Sequence, residues 1–197
     1  MSVVRGCKQG KIENGTIKTG FDRQGESQQD NWLTSGIDFG VCGINSWRFG
    51  CLPAEYRERL ALAKPGRVSP GNPESLWLGP DHWLIVSTSL AAQNIIEECS
   101  DALTDILYSA VDYSVGFAVL RVMGPGARQS LASGTGIDLR PRQFPEGTCW
   151  RTRLAQIPAV IVANSEDYFN VFVDRTYGPY MEDWLEDSSN ILSTGTT

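Results

Sequence analysis

The chain has 197 residues and a formal net charge of -6, with 41% hydrophobic and 20% charged side chains, the usage of a folded domain rather than of a disordered or fibrous chain. The negative balance argues against a phosphate-binding surface of clustered Lys and Arg, so nucleic acid is not expected as a partner. No run approaches the about 18 apolar residues of a membrane span, and MSVVRGCKQGKIENG has no apolar signal core, so a cytoplasmic location with no membrane contact is expected.

Residues 1–35 are rich in Gly, Gln, Lys and Asn. With little apolar area to offset ordering entropy, they are expected to form a polar tail, flexible or lying on a partner. From Ile37 to Cys51 apolar and small residues alternate imperfectly, which predicts a strand or hairpin. Pro53 opens a predicted helix through Tyr56, Leu60 and Leu62, and the Pro- and Gly-rich 64–74 predicts a loop. Leu76 to Ser87 reads as strand, turn, strand, with the break at Gly79-Pro80-Asp81. Residues 90–104 carry Leu90, Ile95, Ile96, Cys99 and Leu103 on one helical face. Residues 110–122 read as one long or bent strand bearing Gly116, ended by Gly124-Pro125, which open a short helix through Ala127 and Leu131. Strands near 148–155, 158–163 and 168–173 precede a helix from about Thr176, with Tyr180, Trp184 and Leu185 on its apolar face. Residues 191–197 are expected to be a disordered tail, leaving one domain over 36–190.

Strand pairs separated by single helices predict an α+β fold made of ferredoxin-like β-α-β units. A dinucleotide fold is not expected, because Gly124-Pro125-Gly126 lacks the third glycine and the placement after a first strand.

Few groups suited to catalysis or metal binding are present. His82 is the only histidine, and beside Asp81 it reads first as a half-exposed turn residue, with a catalytic or ligand role as the other reading. The five cysteines are scattered without a CxxC pair, so neither a disulfide framework nor a metal site is indicated. Asp112 and Ser114, two apart on a predicted strand, share one face; they either satisfy local backbone amides or contact a ligand. Arg140, Arg142, Arg151 and Arg153 form a basic cluster broken by Pro and Phe, read as solvated surface or as a protein or anion contact. The acidic residues of the last helix read as a solvated face.

Two blocks carry a resemblance. Trp77-Leu78-Gly79-Pro80-Asp81-His82-Trp83-Leu84 resembles the WLGPDEWL signature of the sarcosine oxidase gamma subunit family. Val111-Asp112-Tyr113-Ser114, followed by Leu120, Arg121, Gly124, Pro125, Ala127 and Leu131, is similar to the family's second block. The match continues through Gly134, Asp138, Leu139, Pro141, Arg142, Phe144 and Pro145 to Phe172-Val173-Asp174-Arg175-Thr176-Tyr177 and Trp184-Leu185, covering roughly residues 36–190. His82 where the family often has Glu, Tyr113 in place of a smaller residue, and Phe117 at an often polar position depart from the pattern.

The resemblance implies a shortened relative of the folate-binding module of the glycine-cleavage aminomethyltransferase, assembled with alpha, beta and delta subunits. It implies that FAD, FMN, NAD, zinc and tetrahydrofolate belong to those partners, with no cofactor and no catalytic residue in this chain. The implied role is structural: assembling a complex that demethylates sarcosine to glycine and enclosing its internal cavity. Trp32, Trp47 and Trp150 are candidate partner contacts, internal core being the other reading of each. A free-standing folate-binding or regulatory module would instead use Asp112, Ser114 and Arg121 as a pterin pocket. The complex could also be a related N-methylamine dehydrogenase or dimethylglycine oxidase, and an aminomethyltransferase acting alone is a further alternative.

Overall fold

The structure is a computed structural model that describes residues 32–35, 40–46, 52–104 and 106–194. Its strands are β1 (Trp32–Ser35), β2 (Gly40–Ser46), β3 (Val68–Ser69), β4 (Glu74–Gly79), β5 (His82–Ser87), β6 (Tyr108–Asp112), β7 (Phe117–Met123), β8 (Cys149–Leu154), β9 (Ile157–Ser165) and β10 (Tyr168–Asp174). The helices are α1 (Ala54–Arg59), α2 (Ala92–Ala102), α3 (Ala127–Gly134) and α4 (Gly178–Thr194), the last entered through a 3-10 turn at Arg175–Tyr177.

The strands form two five-stranded antiparallel sheets, ordered β3-β4-β5-β2-β6 and β1-β7-β10-β9-β8. In the first, β2-α1-β4-β5-α2-β6 is a split β-α-β unit of ferredoxin-like order, with β3 added at one edge. The second repeats that order with a substitution. Among the described residues β7-α3-β9-β10-α4 has no strand after α4, and β1 fills the position beside β7. The expected fold class is thus the observed one, and its second unit is closed by the N-terminal strand.

The alternation of side chains along each strand builds four layers. Trp83 and Ile85 point outward to pack with Ile95, Cys99 and Leu103 of the α2 region. Leu76, Leu84 and Val86 point inward against Val119, Val160, Val162 and Phe172 of the second sheet. Leu120, Val122, Ile161, Phe169, Val171 and Val173 face outward again onto Leu131 of α3 and Met181 and Leu185 of α4. The sheets are also joined through the backbone at one edge: Val68 N donates to the Gly147 carbonyl (2.9 Å) and Cys149 N to the Gly66 carbonyl (3.2 Å).

Four expectations change. The predicted 64–74 loop contains the two residues of β3, which pair with Leu76 and Ser75 of β4, while Val68 N also donates to the Gly147 carbonyl. The single strand expected over 110–122 is two strands in different sheets. Asp112 turns the chain by accepting from Ser114 N (2.8 Å), and the Tyr113 carbonyl accepts from Gly116 N (2.9 Å). The domain boundary at residue 36 falls too late, since Trp32–Ser35 pairs with Leu120–Met123 as β1. The C-terminal tail expected from 191 begins as helix, α4 running to Thr194. Residues 1–31 and 195–197 lie outside the described residues.

Candidate functional site

A cleft of about 330 Å³ opens between the sheets at the end where β4 turns into β5. Register fixes its floor. Arg151 of β8 stands opposite Val160 of β9, which stands opposite Phe172 of β10, itself opposite Val119 of β7. One step along, Asp174 stands opposite Phe117. Leu78, His82 and Leu84 of the first sheet face this floor, with Gly43 and Tyr113 at one side and Tyr177 at the mouth. Phe117 links the aromatic rings edge to face, 5.9 Å from Tyr113 and 6.4 Å from Phe172.

The polar groups in the cleft are differently committed. Arg151 makes no hydrogen bond or ion pair with any described residue, whereas Asp174 Oδ1 accepts from Thr176 N (2.9 Å) and Oγ1 (2.6 Å), leaving Oδ2 open. Those two bonds hold the Asp174 carboxyl below the usual carboxylate range. His82 is half-buried, and its imidazole is held below the ordinary histidine value by loss of solvent and then by the Arg151 charge. It is therefore neutral at pH 7. Tyr113 lies over Gly43, where an added Cβ would come within 2.7 Å of its ring, so only glycine lets the ring sit against β2.

Asp112 and Ser114 meet, but Arg121 is not brought to them. Asp112 is exposed, and its Oδ1 accepts from both Ser114 N (2.8 Å) and Ser114 Oγ (2.6 Å), the local turn bonding that was one of its two sequence readings. Arg121 lies four residues beyond Phe117 on β7, about 13 Å along the strand at 3.3 Å per residue, with its buried Nε unpartnered. None of the three lines the cleft.

The signature residues are explained by backbone geometry. Asp81 turns the β4–β5 hairpin at φ 54, a left-handed conformation that Asp tolerates, and its Oδ1 accepts from Leu52 N at 2.7 Å. Gly79 and the exposed Pro80 complete that hairpin. Trp83 is buried, its indole donating to the Ala63 carbonyl at 2.9 Å. Gly124 needs its φ of 109, closed to other residues, and donates to the Asp167 carbonyl; Pro125 follows, exposed. Trp150 is 44% exposed and meets Trp77 edge to face at 5.9 Å. The side chain of Trp32 and all of Trp47 lie outside the described residues.

Sequence reasoning missed Arg151, Asp174, Tyr113, Tyr177 and Phe172 as one constellation. One signal was available: Asp174-Arg175-Thr176 repeats the Asp-x-hydroxyl pattern of Asp112-Tyr113-Ser114, and both make the same turn. The basic cluster dissolves. Arg140 pairs with Asp138, Arg153 donates to the Gln156 carbonyl, and only Arg151 enters the cleft. Among the described residues no group of three or more His, Cys, Asp or Glu meets in metal-binding geometry, and no helix is long and apolar enough to cross a membrane.

Comparison with known proteins gives a consistent picture. Sarcosine oxidase subunit gamma of Corynebacterium sp. strain U-96 is 28% identical over 118 residues, 60% of this chain and 57% of that protein. The strain P-1 protein of the same name is 30% identical over 113 residues, 57% of this chain and 55% of its own length. The matches thus span little more than half of these relatives. In structure, the chain resembles one from the heterotetrameric sarcosine oxidase of Corynebacterium sp. U-96 in complex with pyrrole 2-carboxylate. That likeness has a TM-score of 0.71 at 24% identity, covering 82% of this chain and 84% of the other. It also resembles the glycine cleavage system aminomethyltransferase T from Bartonella henselae, with a TM-score of 0.56 at 16% identity, over 78% of this chain and 44% of that one. At these identities the two structures establish the fold. The profile of the sarcosine oxidase, gamma subunit family matches residues 57–191, more than half of the sequence, and on that match the chain belongs to this family.

Proposed function

We propose that the chain works as the gamma subunit of a heterotetrameric, flavin-dependent sarcosine oxidase and serves that complex by shape. The observation that carries this reading is an uncovered apolar strip along β6 and the turn after it. Leu107 is 73% exposed, Val111 44%, Tyr113 44% and Val115 76%. Tyr108 and Ala110 pack on the α2 cluster, so Val111 lies on the opposite face of β6, with Leu107 just before the strand and Tyr113 and Val115 in the turn after it. β6 is also an outer strand, bonded to β2 on one side, and no Lys, Arg or Pro guards it between Leu103 and Phe117. A strip of this length and polarity is suited to burial in a stable assembly.

In this reading the alpha, beta and delta subunits cover the strip, and Trp150 adds an aromatic anchor at a second point. Sarcosine is demethylated to glycine in the partners, which hold FAD, FMN, NAD, zinc and tetrahydrofolate, while this chain holds none. Its surface closes part of the internal cavity where excluding water protects the one-carbon intermediate from hydrolysis before transfer to folate. The complex works in the cytoplasm.

Co-expression of the tagged chain with its three partner subunits tests the proposal. A yellow complex retained through the tag, lost in the double variant Val111→Lys, Val115→Glu, is expected. A chain that stays alone beside assembled partners refutes it, and micromolar binding of tetrahydrofolate by that lone chain would favour the free-standing module.

A further inference from the structure

The inter-sheet cleft shares only Tyr113 with the exposed strip, and it has the features of a ligand site. At about 330 Å³ it is at the lower end of small-molecule sites, which run from about 300 to 1,000 Å³. That size suits a small molecule and not a dinucleotide. Its walls are apolar and aromatic, from Leu78, Leu84, Phe117, Val160 and Phe172, and two opposite charges face it. Arg151 is without a hydrogen-bonding or ionic partner among the described residues, and Asp174 keeps Oδ2 open because both of its bonds fall on Oδ1.

The two charges do not neutralise each other, for a geometric reason. They sit on strands separated by β9 and are offset by two residues, so their Cα atoms stand about 12 Å apart at ordinary strand spacing. No ion pair joins their head groups, so a small molecule carrying both signs can lie between them. A plain carboxylate would satisfy Arg151 but meet Asp174, and a plain amine would do the reverse, so the pair selects for a zwitterion and against either half. His82 is neutral at pH 7 and adds a hydrogen-bonding group without a third charge.

We propose that this cleft binds a small zwitterionic amino acid, with its carboxylate on Arg151, its ammonium group on Asp174 and its apolar side chain or N-alkyl group on Phe117 and Phe172. The lining comes from this chain alone, with Tyr113 also bordering the proposed interface, so binding can be tested on the chain by itself.

The test is calorimetric titration of the purified full-length chain with phenylalanine, 3-phenylpropionate and 2-phenylethylamine, which share a ring and differ in charge, together with sarcosine. Phenylalanine is expected to bind at least about tenfold more tightly than either singly charged analogue, the equivalent of one ionic contact. Arg151→Gln should reduce phenylalanine binding to the level of phenylethylamine, and Asp174→Asn to that of phenylpropionate. Arg153→Gln, outside the cleft, should change neither. Because both cleft positions are exposed, the variants should fold, and unchanged thermal melts verify this. The His82 ring proton signals in the NMR spectrum give a second reading, expected to move with phenylalanine. No binding up to about 50 mM, equal binding of the three probes, or binding indifferent to both cleft variants overturns the proposal. Loss of co-purification with partner subunits, in contrast, would leave it standing.

Discussion

Cys149 offers a test of the contact between the sheets. Its side chain is fully buried at the edge where the sheets join, and its single S–H proton is shared between the Arg67 carbonyl (3.1 Å) and the Trp77 carbonyl (3.3 Å). Burial pushes the thiol up from 9.0 to about 12, and the Glu74 carboxylate adds to the rise. Below the unfolded value the thiol is neutral in both states, and its contribution to stability is fully present. Above it the unfolded chain releases the proton while the folded chain keeps it, so stability falls by about 1.4 kcal/mol per pH unit until the folded group titrates. Between pH 8 and 10 the wild type should therefore lose about 1.4 kcal/mol that Cys149→Ala does not lose. At pH 8 the substitution itself should cost about 1–2 kcal/mol through the lost thiol hydrogen bond and a small void. Urea denaturation of both proteins at pH 8, 9 and 10 measures this, since the Tyr and Lys titrations common to both cancel in the difference. A destabilisation by Cys149→Ala that stays constant over this range, or rapid alkylation of Cys149 in the folded protein at pH 8, would refute the reasoning.

Other consequences are equally direct. At Gly134 an added Cβ would lie 2.4 Å from the Trp184 ring and 3.1 Å from Leu154, so Gly134→Ala should destabilise by about 1–3 kcal/mol, and Trp184→Leu should relieve most of that cost in a denaturation cycle. Arg128 donates to the carbonyls of Leu139, Phe144 (3.2 Å) and Glu166 (2.9 Å) and lies over the Phe169 ring at 4.9 Å, so Arg128→Met should cost about 2–3 kcal/mol. His82 should titrate below its ordinary 6.5 by NMR, and Arg151→Gln should move it back toward that value; the stability tied to the neutral ring is present above 6.5 and lost as pH falls.

The fold was legible where pattern is local. Ile95, Cys99 and Leu103 mark the buried face of α2 at helical spacing, and Gly79-Pro80-Asp81 marks the hairpin between β4 and β5. What spacing cannot show is which sheet a strand joins. Val111 and Val119 read as parts of one strand, yet the Asp112–Ser114 turn sends them to different sheets. Likewise β1 is only four residues long, and nothing in WLTS reveals that β7 lacks a neighbour there. The cleft was illegible for the same reason. Arg151, Asp174 and His82 are distant in sequence, and only pairing across β8, β9 and β10, with the first sheet above, brings them around one space. The family resemblance supplied Leu78, His82, Leu84, Tyr113, Phe172, Asp174 and Tyr177 in separate blocks, without showing that they surround one space.

The proposed assembly requires β6 to be an interface. Hydrogen–deuterium exchange compared between the isolated chain and the assembled complex tests that directly. Slower exchange across residues 107–115 on assembly, with the solvent face of α2 unchanged, is the predicted result. Unchanged exchange over 107–115, with new protection elsewhere on the chain, would contradict it.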